Sequence, residues 1–177
     1  MNRRFLPNRA GRDFGRLPLH LWVPESMLTT RIITTDAELA LVKTRWNELA
    51  DGEPMQSWTW LATWWKHYGN SNGGDERITG RELRVIAVFD EAEGDASQLI
   101  GLAPWYLDRT IVKGNVLRLL GSGEVCTDHQ SLICDPADTT RVAAVVAEHL
   151  TVKDDEWDRL ELSAVDVGDF GVDQLAD

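Results

Sequence analysis

Cysteine is nearly absent: Cys126 and Cys134 are the only two. Two thiols are too few for a disulfide framework, and they point to a reducing cytoplasm, although a single bridge between them stays open on count alone. Long apolar runs are missing as well. No stretch approaches the roughly 18 uncharged apolar residues that a membrane helix needs, so no membrane span is expected. Basic charge is scarce: 18 Lys and Arg stand against 29 Asp and Glu, a formal net charge of -11 at pH 7. Such a chain repels a phosphate backbone, and nucleic acid is not an expected partner. What remains, 43% apolar and 27% charged over 177 residues, fits one folded domain with a single core.

The basic charge there is collects at one end. Arg3, Arg4, Arg9, Arg12 and Arg16 sit among Gly, Pro and Asn with no apolar periodicity, which predicts a disordered basic arm over residues 1–27. Its apolar stretch LPLHLWV is broken by Pro18 and His20 and lacks a small-residue cleavage site, so it does not read as a secretion signal. Met27 is an alternative start, which would make the preceding residues an upstream extension.

Residues 28–177 are expected to form a single domain. RIITT reads as a short strand running into Thr35 and Glu38, spaced as a capping box that opens a helix. Leu39, Val42, Trp46 and Leu49 recur at helical steps until Asp51 and Gly52 stop them. Ser57 caps a second helix, SWTWLATWWKHYG, which carries four of the chain's eight tryptophans. Turned by about 100° per residue, Trp58, Trp60, Leu61, Ala62, Trp64, Trp65 and Tyr68 share one arc, wider than a single packing face requires. Burial of most of the arc is the expectation, with an aromatic sugar platform at its rim, Trp60 or Trp58, as the alternative. His67 falls on the polar side.

LRVIAVFD and QLIGLAPWYLD read as a hairpin around the acidic turn EAEGDAS, with Pro104 forcing a bulge or an edge because it cannot donate to a ladder. NVLRLL and SLIC are further strands. A third helix is expected from Asp135, with Pro136 at its first position and Val142, Val145, Val146, His149 and Leu150 on its apolar face. WDRLELSAV supplies another strand, and DFGVDQLAD opens a last helix. EAEGDAS and KDDEWDR read as solvated surface. The expected class is mixed α/β (α+β), a mostly antiparallel sheet flanked by helices, in the order β-α-α-β-β-β-α-β-(α).

That order is the one used by the GNAT acyltransferase fold. The stretches QSWTWLATWWKHYG, RVIAVFD, IGLAPWY, LRLLGSGEVCTDHQSLIC and WDRLELSAV further resemble the amino-terminal half of the CelD-like acetyltransferases, which are similar to the FemABX group in having paired GNAT-like halves. The resemblance covers residues 31–177. It implies an N-acyltransferase of envelope or polysaccharide metabolism, an acetyl-CoA or acyl-CoA donor, and a second acyltransferase half or a second copy of the chain as partner. On this reading cofactor and catalysis depend largely on the other half.

In a GNAT enzyme the acyl-CoA pyrophosphate lies on backbone N–H groups at a helix N-terminus. RLLGSG fits the glycine spelling of that cradle and offers Arg118, Gly121, Ser122 and Gly123, but a strand intervenes before the next helix. That helix opens beside Asp135 and Asp138, which would repel a phosphate. A plain turn is therefore the competing reading. Further along, Cys126, Asp128 and His129 are the residue types of a nucleophile, a carboxylate and a base, yet neighbours in one loop seldom meet in catalytic geometry. Asp128 with His129 is the expected polar pair facing a substrate cleft. Cys126, His129 and Cys134 lack paired zinc-ligand spacing and an evident fourth ligand, so no metal is expected. The alternative to catalysis is a non-catalytic half-domain that binds a partner protein or a saccharide.

Overall fold

The structure, a computed structural model, describes residues 27–69, 80–91, 97–123, 125, 127–153 and 155–176. The basic arm expected over residues 1–27 lies, apart from Met27, outside the described residues, as do Cys126 and most of the EAEGDAS turn. The strand expected at Arg31 begins earlier: β1 spans Met27–Ile33.

Thr35 caps α1 (Asp36–Leu41) as its spacing predicts, the hydroxyl accepting from the Glu38 N–H at 3.2 Å while the Glu38 carboxylate takes the Thr35 N–H at 3.1 Å. The expected single helix is two, because the Val42 N–H turns back to the Ala40 carbonyl before α2 (Lys43–Leu49) begins. Leu39, Trp46 and Leu49 are buried on the face foreseen for them. A 3-10 turn, Pro54–Gln56, leads to Ser57, whose hydroxyl accepts from the Trp60 N–H and caps α3 (Trp58–Trp64). The last turn, Trp65–Gly69, is π-helical.

The hairpin is longer than its sequence signal. β2 (Gly80–Leu83) and β3 (Val85–Glu91) face β5 (Trp105–Thr110) and β4 (Gln98–Ala103) in one register, with Leu83 opposite Tyr106 and Ile86 opposite Ala103. The interruption falls at Arg84 and Pro104, where proline has no N–H to give. Pro104 still accepts, taking the Leu120 N–H at 2.8 Å. β6 (Gly114–Leu119) lies against β5, and β7 (Ile133–Cys134) continues along β4 after the excursion 121–132. β8 (Arg159–Glu161) returns parallel to β6.

The result is a mixed α/β fold with two four-stranded sheets, ordered β1-β3-β4-β7 and β2-β5-β6-β8, antiparallel except for the β6/β8 pair. β3 is buried on both faces. Val85 and Ala87 join Trp46, Leu61, Trp64 and Trp65 on the side of α1 to α3, whereas Ile86 and Val88 join Val142, Ala143 and Val146 of α4 (Thr139–Val152) on the other. The period-two alternation of a strand thus feeds two cores. α4 starts later than the sequence predicts. Asp135 Oδ1 takes the Ala137 N–H in an Asx turn, and residues 136–138 stay a turn before the helix begins. α5 (Phe170–Ala176) forms where DFGVDQLAD foretells it and is capped by Asp169, whose Oδ1 accepts from the Val172 N–H at 2.9 Å. Among the described residues no helix is long and apolar enough to cross a membrane.

Candidate functional site

The excursion between β6 and β7 gathers most residues of chemical interest. It rests on the turn leading into α3: the Asp128 N–H points to Met55 Sδ at 3.1 Å, and the Gln56 side-chain amide donates to the His129 carbonyl at 2.5 Å. Thr127, which is 2% exposed, receives the Trp60 indole N–H on its hydroxyl at 3.3 Å. Gly121 lets this packing close. A β-carbon there would stand 2.9 Å from Thr127 Cγ2, and its φ of +95° is left-handed backbone that glycine adopts without strain.

The RLLGSG residues are placed as follows. Arg118 on β6 lies in a chain of charges: its Nε is 3.3 Å from Asp108 Oδ2 and its Nη2 is 2.8 Å from Glu161 Oε2, while Arg81 Nε stands 3.8 Å from the other Asp108 oxygen. The guanidinium therefore already has two carboxylates. Ser122 is buried, with its hydroxyl 3.4 Å from the Tyr106 phenol, and its N–H turns back to the Leu119 carbonyl. Burial pushes the Tyr106 phenol above its ordinary value. Gly123, at φ +100°, has among the described residues, its chain neighbours apart, no atom within 4 Å of where a β-carbon would sit. No helix follows the glycines directly. At the start of α4, Asp138 already pairs with Arg141 at 2.7 Å.

His129 has a partner that sequence adjacency does not reveal. Its Nδ1 lies 2.8 Å from Asp166 Oδ2 across a separation of 37 residues, with both side chains more than half exposed. The hydrogen bond to Asp166, and then its charge, hold the imidazole above its ordinary value near 6.5. Asp128 adds only a smaller field, so the carboxylate that orients His129 is Asp166 rather than Asp128. His129 itself adopts a left-handed φ of +56°. With Nδ1 engaged, Nε2 is the nitrogen left to exchange a proton. Cys126 lies outside the described residues. Cys134 is a free thiol raised by burial, with its sulfur 3.6 Å from Thr139 Oγ1. Among the described residues no group of three or more His, Cys, Asp or Glu side chains is arranged to hold a metal ion.

The tryptophan arc divides. Trp64 and Trp65 are buried, and Trp58 is half-buried with its indole N–H on the Leu39 carbonyl at 2.8 Å. Trp60 is 38% exposed. It lines an open pocket of about 180 Å³ with Thr63, Trp64, His67, Tyr68 and Val125. Neither Asp166 nor Thr127 carries a signal in its own stretch of sequence that would mark it as a partner of His129 or Trp60. Comparison with known proteins finds no family model, no curated protein and no solved structure that matches this chain.

Proposed function

We propose that the chain is an acyltransferase-like protein of the GNAT type, acting in the cytoplasm as one half of a paired architecture. The other half is a second acyltransferase domain or a second copy of the chain. The observation that carries the reading is the β6/β8 pair. In sheets otherwise antiparallel, the strand that ends in the Gly121–Gly123 turn is joined through α4 to a parallel neighbour, with Val116 to Arg118 beside Arg159 to Glu161. Parallel neighbours require such a crossover. A helical stretch after β1, a run of antiparallel strands and then α4, β8 and α5 are the coarse features shared with the order the resemblance implies. Topology by itself does not determine chemistry.

The chemistry proposed is transfer of an acyl group from a thioester to the amine of an envelope or polysaccharide precursor, giving an amide and a free thiol. Such transfer needs a base beside the amine and donors beside the thioester oxygen. His129, oriented by Asp166, supplies a group of the first kind, and the backbone at Gly123 supplies a place for the second. Arg118, held by two carboxylates, leaves the cradle short of positive charge, which supports dependence on a second half.

The test is a thermal-shift titration with acetyl-CoA, because a ligand bound only to the folded state raises the melting temperature. The expected result is a concentration-dependent rise that Gly123→Ala removes, since that substitution meets no neighbouring atom among the described residues. No rise at millimolar acetyl-CoA, in the chain alone or mixed with its paired half, overturns the reading.

A further inference from the structure

The pocket over Trp60 has the features of a built site, and it borders the β6–β7 excursion through Val125. Its floor is aromatic. Trp64 and Tyr68 lie 5.7 Å apart at 41°, and Trp64 is itself braced by Tyr106 at 5.3 Å. Trp60 forms the exposed wall, and its ring is not free to swing, because the indole N–H is tied to the buried Thr127 hydroxyl. Holding an exposed tryptophan in one orientation removes the entropy that a ligand would otherwise have to overcome in ordering it.

The backbone under the pocket is also specialised. Thr63 and Trp64 end an α-helical stretch, and His67 and Tyr68 belong to the π turn Trp65–Gly69 that continues it. Single π turns are rare and concentrate at functional sites. Two contacts fix this one. Arg81 donates to the Tyr68 carbonyl at 2.8 Å, and Gly69 lies so close to the Trp65 indole that a β-carbon would meet the ring at 2.5 Å.

The lining limits what fits. Among the described residues that line the pocket none is Asp, Glu, Lys or Arg, so neither a carboxylate nor a Lys or Arg side chain is there to pair with a charged guest. At about 180 Å³ the space is smaller than the roughly 300–1,000 Å³ of sites for drug-sized molecules, so it admits a single ring. Thr63 and His67, both exposed, put a hydroxyl and an imidazole at the rim. An uncharged ring with apolar C–H groups on its face and hydroxyls around its edge matches this pattern. The electron-rich face of an indole attracts such weakly positive C–H groups.

We infer that this pocket binds one pyranose ring of a neutral saccharide, stacked on Trp60 with its hydroxyl edge toward Thr63 and His67. The pocket opens to solvent, so further sugars of a chain continue outside it.

The experiment is a titration of the full ¹⁵N-labelled chain with methyl β-D-glucopyranoside, following the tryptophan indole N–H resonances, with Trp60 identified by its loss in Trp60→Phe. A saturable shift of the Trp60 resonance at millimolar glycoside is expected. Two controls accompany it: sorbitol, which has the hydroxyls without the ring face, and cyclohexanol, which has the ring without the hydroxyl edge. Neither is expected to shift Trp60. In saturation-transfer measurements on the glycoside, Trp60→Ala and the double variant Thr63→Ala/His67→Ala should each weaken binding at least tenfold. The double variant alters only exposed side chains, so it keeps the test valid if Trp60→Ala fails to fold. No saturable shift, an equal response to cyclohexanol, or unchanged binding in the double variant overturns the inference.

Discussion

A β-carbon on Gly101 would lie 2.6 Å from both γ-carbons of Val142. This contact is where α4 meets β4, and the exposure of Val142 is 0%. Nothing but hydrogen fits at position 101 unless helix and sheet move apart. Gly101→Ala should therefore destabilise by about 1–3 kcal/mol, the usual cost of overpacking a well-filled core. Urea unfolding measures it. Because the conflict is with one side chain, Val142→Ala should restore part of the loss when combined with it, giving a coupling that a double-mutant cycle detects.

Asp108 offers a second prediction. It is 9% exposed and stands between Arg81 and Arg118, so it compensates two guanidiniums inside the fold. Asp108→Asn removes the charge while keeping the shape. A fully buried pair broken on one side costs about 3–5 kcal/mol, and the partial exposure of Arg118 and its second partner Glu161 lower this to about 2–3 kcal/mol. Chemical denaturation of the variant measures it, and Glu161→Gln, where Arg118 keeps Asp108, should cost less.

The local parts of this fold are written in short stretches of sequence, and the distant ones are not. The capping box of Thr35 and Glu38 and the cap at Ser57 are visible because each involves residues three apart. Pro104 marks the break in its strand because a missing N–H is a property of the residue itself. The arc of tryptophans foretells burial of Trp64 and Trp65, but helical geometry gives no means of choosing Trp60 over Trp58 as the exposed member. The partners that separate them are distant: the Trp58 indole N–H reaches the Leu39 carbonyl, 19 residues away, and that of Trp60 the Thr127 hydroxyl, 67 residues away. In the same way Asp128 is adjacent to His129, yet the chain folds to bring Asp166 to the imidazole. The π turn leaves no mark in a 3.6-residue period, and the late start of α4 depends on an Asx turn that competes with helix at Asp135.

The two glycines of the β6–β7 excursion should respond differently to the same change. Gly121→Ala meets Thr127 at 2.9 Å and Leu61 Cδ2 at 3.2 Å in left-handed backbone, so the segment that fixes Trp60 has to shift. Gly123→Ala carries only the left-handed strain of about 1–2 kcal/mol. Tryptophan fluorescence and the Trp60 indole resonance should change in the Gly121 variant and stay unaltered in the Gly123 variant. Equal responses would show that Thr127 does not set the Trp60 ring.

His129 and His149 should drive stability in opposite directions with pH. The Asp166 hydrogen bond raises His129 above 6.5, so the folded state holds the proton more tightly than the unfolded chain does. Its contribution is complete below 6.5 and is lost as pH rises through the raised value. His149, near the C-terminal end of α4 and 3.0 Å from the Thr30 hydroxyl, is lowered by burial and by Lys153 and Arg84, with Glu156 opposing them. Its neutral form is the one the fold accommodates. That contribution is present above 6.5 and is lost as pH falls toward the lowered value. Asp166→Asn should thus reduce stability at acidic pH and leave the alkaline side unchanged, whereas His149→Gln should flatten the acidic decline. Melting temperatures across pH 5 to 8, with the two imidazoles titrated by NMR, separate the effects. A His129 titration that Asp166→Asn leaves unmoved would show that the ion pair does not form in solution.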